Sequence, residues 1–373
     1  MTTRKKSTFS VVMMRFLVWR LKHVSDTNFL LITAGVIGLL SGLAAVILKS
    51  AVHTIVHYLE LNQTVFGFHS LHLVYPLVGI LLTVIIAKYL FNESLGHGIT
   101  QILYAISKNS SIIERTKMYS RMITSAITVG FGGSVGLEAP IVVTGSAIGS
   151  NLSRLLHLDY RKRTLLLGCG AAGAISAIFN SPVTGVIFAM EVILTEVKIS
   201  RFIPLLLASV CGQLVSIVLL GDDILFSFRL KDPFTAPDTP FYIFLGVLSG
   251  LISLYFTRMM YFFEGAIQKV KGKFSRALLG GISLALIVLT LPPIYGEGYE
   301  TIKSLLAGNA ANTFVQSFLA PISPSEIAVL IFLLFVLFIK PIATALTIGA
   351  GGSGGIFAPS LFMGGLSGYL FSG

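Results

Sequence analysis

Long apolar runs recur along this chain and limit the kind of fold that it can adopt. Nearly uninterrupted apolar segments cover Phe29–Leu48, Leu73–Leu90, Phe202–Leu220, Phe241–Phe256, Leu278–Leu291 and Ile327–Ile339. A helix that crosses a bilayer needs roughly 20 apolar residues, or fewer where it is broken or surrounded by protein. Only 12% of the residues are charged, against about a quarter in soluble domains. The sequence therefore predicts an all-α, multi-pass integral membrane protein in contact with the lipid bilayer.

The basic residues predict how the chain is oriented. A net charge of +11 would suggest nucleic acid as a partner in a soluble protein. Here the charge is concentrated at the ends of spans, so no nucleic-acid partner is expected. By the positive-inside rule the N-terminus is cytoplasmic, in the plasma membrane or a bacterial inner membrane, and no cleaved signal peptide is expected. The basic residues before the first span are Arg4, Lys5, Lys6, Arg15, Arg20 and Lys22, and a second cluster is Arg161–Arg163.

Changes in residue texture divide the chain into four parts. Residues 1–27 form a basic cytoplasmic segment, and residues 28–220 a first transmembrane repeat whose later part is rich in Gly, Ser, Ala and Thr. Such small residues suit helices that break at membrane depth and line a cavity. Residues 221–240 form an acidic loop between the repeats, and residues 241–373 form a second transmembrane repeat.

Two Gly-rich segments align with each other at an offset of 219 residues. Eight residues are identical across the 18 positions of 132–149 and 351–368. Corresponding broken segments in two halves of a transporter indicate its binding site. By the same repeat logic, a complete second half would run about 65 residues beyond Gly373, so the second repeat is expected to be truncated. The identical pairs are Gly132/Gly351, Gly133/Gly352, Ser134/Ser353, Gly136/Gly355, Ala139/Ala358, Pro140/Pro359, Gly145/Gly364 and Gly149/Gly368.

Each of these breaks has the chemistry of an anion site. Glycine lets the backbone approach an ion closely, and proline in the first turn of a helix forfeits no hydrogen bond. The free N–H groups and the positive dipole end of the helix that follows attract anions. Two such helix starts that meet would favour an anion over a cation. The expected ligand is chloride or a similar small inorganic anion, with no cofactor and no metal site.

Three charged residues inside the apolar Gly-rich segments are functional candidates. Glu138 follows Leu137 in the first break, where a carboxylate can occupy the N–H groups that would otherwise hold the ion. Protonation would release it, so we expect a gate, with simple complementation of the helix dipole as the alternative. Glu191 lies in a later segment, facing an inner vestibule or acting as a structural acid. Arg121 either raises the potential along the pathway or forms a structural ion pair.

These residues resemble the CLC family of chloride channels and proton-coupled chloride exchangers, from about residue 28 to the end. The family has three loops around its ion. The first, GSGIP, is similar to Gly-His-Gly-Ile-Thr at 96–100, and the second, GREGP, to Gly-Leu-Glu-Ala-Pro at 136–140. The third, GxFxP, is matched in full at 355–359. The helix start Asn-Ser-Pro at 180–182 agrees as well.

The resemblance implies a fold of inverted repeats with broken, tilted helices, and a homodimer with one pathway in each subunit. It implies that the amides of Ile356 and Phe357, beside Gly355, hold the central anion. The amides around Leu137, Glu138 and Ala139 would hold the outer anion, and Glu138 would be the gating glutamate. Where the family has a serine whose hydroxyl binds the central anion, this chain has His97, beside Gly98, so anion preference and pH response can differ. A basic residue common before the gate is replaced by Leu137.

The choice between channel and exchanger depends on Glu191 and Val192. Family exchangers generally carry two adjacent acids here, the second being an internal proton relay, whereas this chain has Glu-Val. Valine cannot relay a proton, so channel-like passive conduction is favoured. A proton/chloride exchanger that uses Glu191, water or another route is the alternative. A cation-coupled solute symporter is a remote third possibility, and no enzyme is expected because no nucleophile–base pair or metal cluster stands out.

Overall fold

The computed structural model describes residues 15, 18–66, 74–93, 98–194, 202–221, 235–309 and 326–372. Within these ranges every regular element is helical, and the single β-type pairing is an isolated antiparallel bridge. The prediction of an all-α protein is confirmed. Most of the predicted inter-repeat loop, at 222–234, lies outside the described residues.

Thirteen α-helices follow one another along the described parts of the chain. Three short 3₁₀ turns, Arg115–Met118, Ala236–Asp238 and Pro292–Ile294, lie between them. The helix bounds are α1 Asp26–Phe66, α2 Tyr75–Tyr89, α3 Gly98–Lys108, α4 Ser120–Gly130, α5 Glu138–Leu155, α6 Tyr160–Phe179, α7 Pro182–Phe188, α8 Phe202–Leu220, α9 Thr239–Gln268, α10 Lys273–Thr290, α11 Tyr299–Leu306, α12 Glu326–Gly349 and α13 Phe357–Ser372.

Six of the described helices are long and apolar enough to cross a membrane: α1, α6, α8, α9, α10 and α12. Several others are too short or too polar to span alone, as expected for helices that break inside the protein. Both Gly-rich breaks are present, and each is followed by a new helix. The first break leads into α5 and the second into α13. The interrupted helices inferred from the sequence are therefore confirmed.

The described chain divides into two compact units, each assembled from separate stretches. Unit 1 comprises Met1–Val46, Ile99–Met118 and Val142–Asp222. Unit 2 comprises Ile47–Gly98, Tyr119–Ile141 and Asp223–Gly373. Unit 2 thus combines parts of the first predicted repeat with the second. The repeat limits at 220 and 241 concern sequence symmetry and stay a prediction.

Unit 1 is built on close contacts between helix backbones. In α5 and α6 the facing glycines are Gly145 and Gly170, and a Cβ on Gly170 would lie 1.9 Å from the Gly145 carbonyl oxygen. No larger residue fits there, so these glycines let the helix axes approach. At one end of the unit, Asp26 accepts hydrogen bonds from Arg20 and, at 2.9 Å, from Lys162. That carboxylate joins the two basic clusters recognised in the sequence.

Unit 2 contains both Gly-rich breaks and positions the candidate site. Helix α2 packs against α4 and α10, and α12 packs against α9, α10 and α13. The breaks follow the C-terminal ends of α4 and α12. Both breaks therefore belong to the same compact unit.

Candidate anion-binding site

Each helix before a break ends in the same turn. Gly132 has φ of +90° and Gly351 has φ of +101°, in the left-handed region that favours glycine. The next residue in each turn donates its N–H back to a threonine carbonyl, Gly133 to Thr128 at 2.8 Å and Gly352 to Thr347 at 2.9 Å. The alignment at an offset of 219 equates these residues pair by pair. The repeat therefore extends from sequence identity to backbone conformation.

The two turns are joined by reciprocal hydrogen bonds. Ser134 N–H donates to the Thr347 hydroxyl at 3.2 Å, and Ser353 N–H donates to the Thr128 hydroxyl at 3.0 Å. Gly136 and Gly355 then form an antiparallel bridge, with N···O distances of 2.9 and 2.8 Å. When two repeat-equivalent residues pair with each other, a local two-fold axis passes between them. The helix starts at Glu138 and Phe357 are therefore related by this axis and lie side by side.

Glycine is required at the bridge because the space beside it is occupied. A Cβ on Gly136 would lie 2.0 Å from Glu138 Oε2 and 2.6 Å from the Ala358 Cβ. At the equivalent position, a Cβ on Gly355 would lie 2.8 Å from the Ala139 Cβ. The Ala358 and Ala139 contacts mirror each other, but a carboxylate fills only the Gly136 side. The two helix starts differ because Glu138 in one is Phe357 in the other.

The Glu138 side chain folds back over its own helix start and is 1% exposed. Its carboxylate interacts with its own N–H and with the N–H of Ala358 in the first turn of α13. Oε1 accepts a hydrogen bond from the Tyr299 hydroxyl. Oε2 has no hydrogen-bond partner within the described part of the chain. The carboxylate therefore lies against both helix starts.

The segment Tyr295–Tyr299 covers this site. Gly296 N–H donates to the Gly132 carbonyl at 3.4 Å. Glu297 Oε1 accepts the N–H of Leu137 at 3.1 Å. The Leu137 amide is one of those that the resemblance assigns to the outer anion. In this structure it donates to a protein carboxylate instead. We call this segment the covering loop.

The hydroxyl of Tyr299 stabilises the ionised form of Glu138, because a hydrogen bond donated to a carboxylate favours its charged state. We expect Tyr299→Phe to let Glu138 take up its proton more readily. A gate that opens on protonation would then reach half-maximal anion flux at a pH about one unit higher. Flux into vesicles measured from pH 4 to 8 tests this. Tyr295→Phe is the matched control, since its hydroxyl donates to the Gly130 carbonyl instead. An acid shift in Tyr299→Phe would contradict this role.

A buried lysine that was not among the residues predicted from the sequence supports the covering loop. Lys340 lies on α12 and is 0% exposed. Its ammonium group donates to the carbonyl oxygens of Ile294 at 3.2 Å and Gly296 at 3.0 Å, and it lies 5.0 Å from the centre of the Phe362 ring. A lysine within a 24-residue apolar helix is itself a signal of function. The offset of 219 also equates Lys340 with Arg121.

The other residues predicted from the sequence lie on several elements. His97 lies outside the described residues, and Gly98 is buried at the first residue of α3. Arg121 is buried on α4 and interacts electrostatically with Glu93. Phe357 is the first residue of α13, and Ile356 lies between it and Gly355. The anion-binding roles of Ile356, Phe357 and Ala139 stay predictions. The role of Arg121 in transport stays a prediction as well.

Glu191 and Val192 belong to unit 1. They lie in the π-helical turn Ala189–Ile193 that continues α7, with Glu191 exposed and Val192 partly buried. A π-turn inside a helix is often found at a functional position. The proton-route hypothesis for this pair stays a prediction.

Comparisons with known proteins show the family and the fold. A family model described as voltage gated chloride channel matches residues 78–373. Chloride channel protein CLC-f of Arabidopsis thaliana is 29% identical over 295 residues, 74% of this chain and 36% of the relative. The H(+)/Cl(−) exchange transporter ClcA of Vibrio parahaemolyticus is 26% identical over 355 residues, 91% of this chain and 72% of the relative. The crystal structure of a slow cyanobacterial Cl⁻/H⁺ antiporter matches with a TM-score of 0.76 at 19% identity, covering 90% of this chain and 76% of that one.

The inverted-repeat helical fold with two facing helix starts defines a class of membrane transport protein. Because the family model covers most of the sequence, the chain belongs to the voltage gated chloride channel family, the CLC family. It spans about a third of the length of the plant relative and almost three quarters of ClcA.

Proposed function

We propose that this protein conducts chloride, or a similar small anion, passively across a membrane, and that Glu138 is its protonatable gate. The observation that carries the proposal is the position of the Glu138 carboxylate against the starts of α5 and α13. Both helix starts offer N–H groups and positive dipole ends to negative charge. A carboxylate in that place is a tethered substitute for the permeating ion. Protonation removes its charge and weakens its hold.

A proton/chloride exchanger is the second candidate. Two similar proteins favour it, because ClcA is an H(+)/Cl(−) exchange transporter and the cyanobacterial structure is a Cl⁻/H⁺ antiporter. Against it stands Val192, which cannot carry a proton where exchangers generally have a second acid. Channel-like conduction therefore remains the proposal, with exchange as its alternative.

Reconstitution into vesicles separates these two functions. Purified protein is placed in liposomes that hold a chloride gradient, and chloride and external pH are recorded together with potassium and valinomycin present. For passive conduction we expect chloride to run down its gradient while pH stays constant, with protein-free vesicles as the control. Uphill proton movement driven by chloride would establish the exchanger. Absence of any protein-dependent chloride flux would overturn anion transport itself.

The proposal extends to the oligomeric state, the orientation and the location of the protein. We infer a homodimer with one anion pathway in each subunit, a cytoplasmic N-terminus, and a location in the plasma membrane or a bacterial inner membrane. The basic residues at the start of the chain support the orientation. Crosslinking of the protein in native membranes, with protease accessibility of the N-terminus, tests both inferences.

A further inference from the structure

The covering loop brings a second carboxylate to the gate. Glu297 is partly buried and lies between two glycines with positive φ, Gly296 at +59° and Gly298 at +87°. Gly298 is pressed against α13, since a Cβ there would lie 2.5 Å from the Phe362 ring. The backbone on either side of Glu297 is thus fixed by its turn geometry, by Gly132 and by Lys340.

The two carboxylates interact through the residues that hold them. Glu297 binds the N–H of Leu137, the residue directly before Glu138. The Glu138 and Glu297 carboxylates also interact electrostatically. Two negative charges this close cannot both be held easily in a site shielded from water, because repulsion is weakly screened there. Burial and the charge of Glu138 raise the pKa of Glu297 to about 8. The repulsion acts in both directions, so Glu297 in its ionised form favours the protonated, uncharged form of Glu138.

Neighbouring groups decide how strong this repulsion is. The cations that act on Glu297 are Lys340 from α12 and Lys49 from α1. Tyr299 from α11 donates a hydrogen bond to Glu138. Tyr295 lies on the covering loop itself, where it interacts electrostatically with Glu60 of α1 and Tyr75 of α2. Lys340 lies closest to the loop, with its ammonium group bonded to two loop carbonyls. It partly offsets the charge of Glu297, so one buried cation stabilises negative charge on the two carboxylates.

We propose that Glu297 sets the pH at which the gate opens, acting through its charge on Glu138 and not as a gate of its own. The inference rests on the proposed function. With Glu297 ionised, Glu138 takes up its proton at higher pH than it would alone, and the path opens nearer neutrality. Glu297 also accepts the N–H of Leu137, so that N–H is not available to a permeating ion.

Glu297→Gln isolates the charge from the packing. The glutamine side-chain oxygen can still accept the N–H of Leu137, so the covering loop keeps its anchor. Without the negative charge, Glu138 stays ionised to lower pH. We expect half-maximal chloride flux in vesicles to move toward acid by about one to two pH units. Glu300→Gln is the matched control, because it removes the same charge from an exposed residue of α11 that pairs with Lys303.

A second variant predicts a shift of opposite sign. Lys340→Gln removes the compensating cation, so half-maximal flux should move toward higher pH. If this buried substitution prevents folding, the Glu297→Gln result decides alone. No shift, or an alkaline shift, in folded Glu297→Gln overturns the inference. In the Glu138→Gln background, Glu297→Gln should have no effect on the pH profile. If pH dependence persists there and Glu297→Gln abolishes it, Glu297 is itself a gate and the inference is wrong.

The same experiment keeps this inference separate from the proposed function. If the unmodified protein gives no chloride flux, anion transport fails. If its flux responds to pH through Glu138 but not through Glu297, only the role of Glu297 fails.

Discussion

Replacing Glu138 by glutamine should leave the anion path open over the whole pH range. Glutamine has nearly the shape of the protonated side chain and cannot ionise, so it cannot act as a tethered anion at the helix starts of α5 and α13. If the carboxyl is protonated in about 1 to 10% of molecules at neutral pH, chloride flux should rise by about 10- to 100-fold. Flux from vesicles at pH 4 to 8 measures the effect, and Glu138→Ala should behave in the same way.

The controls distinguish a gate from a structural acid. Glu114→Gln removes one negative charge from an exposed position and should leave flux and its pH dependence unchanged. Size-exclusion profiles show whether each variant is folded. If folded Glu138→Gln and Glu138→Ala both lost conduction, Glu138 would serve only to complement the helix dipole, and the gate would have to be sought elsewhere.

The repeat was the part of the site that the sequence could predict. Glycines with positive φ and a proline in the first helical turn restrict the backbone locally, so their spacing carries over into structure. Gly136 and Gly355, which align at that offset, also pair directly with each other in the structure. Glu138 was recognisable because a carboxylate in an apolar Gly-rich segment is unusual.

The covering loop could not be recognised from local pattern. Glu297 lies in a polar stretch near Glu300 and Lys303, which has the composition of a solvent-exposed connection. Its burial depends on contacts with residues some 160 positions earlier, at Leu137. Lys340 did carry a signal, because it is a charged residue in the interior of an apolar helix and the repeat equivalent of Arg121. Applying the offset of 219 to charged residues as well as glycines would have identified it.

The bridge glycines offer a test of the gate that leaves every ionisable group unchanged. In Gly136→Ala the new methyl group would overlap Glu138 Oε2, at 2.0 Å, and the Ala358 Cβ, at 2.6 Å. The carboxylate is the end of a flexible side chain and can move, whereas Ala358 is fixed in α13. We therefore expect Glu138 to be displaced from the helix starts. Flux should rise toward the level of Glu138→Gln and lose most of its pH dependence.

Gly355→Ala is the matched variant because local two-fold symmetry gives it the same backbone setting without the carboxylate. Its methyl group would meet the Ala139 Cβ at 2.8 Å and the Ala139 backbone nitrogen at 3.1 Å instead of the Glu138 carboxylate. Both variants strain the bridge, at a cost of about 1–3 kcal/mol of stability, and should lower the unfolding temperature to a similar extent. Only Gly136→Ala should abolish pH gating, while Gly364→Ala, with open space around it, should change neither property. Equal loss of pH dependence in Gly136→Ala and Gly355→Ala would mean that strain at the bridge, and not displacement of Glu138, controls conduction.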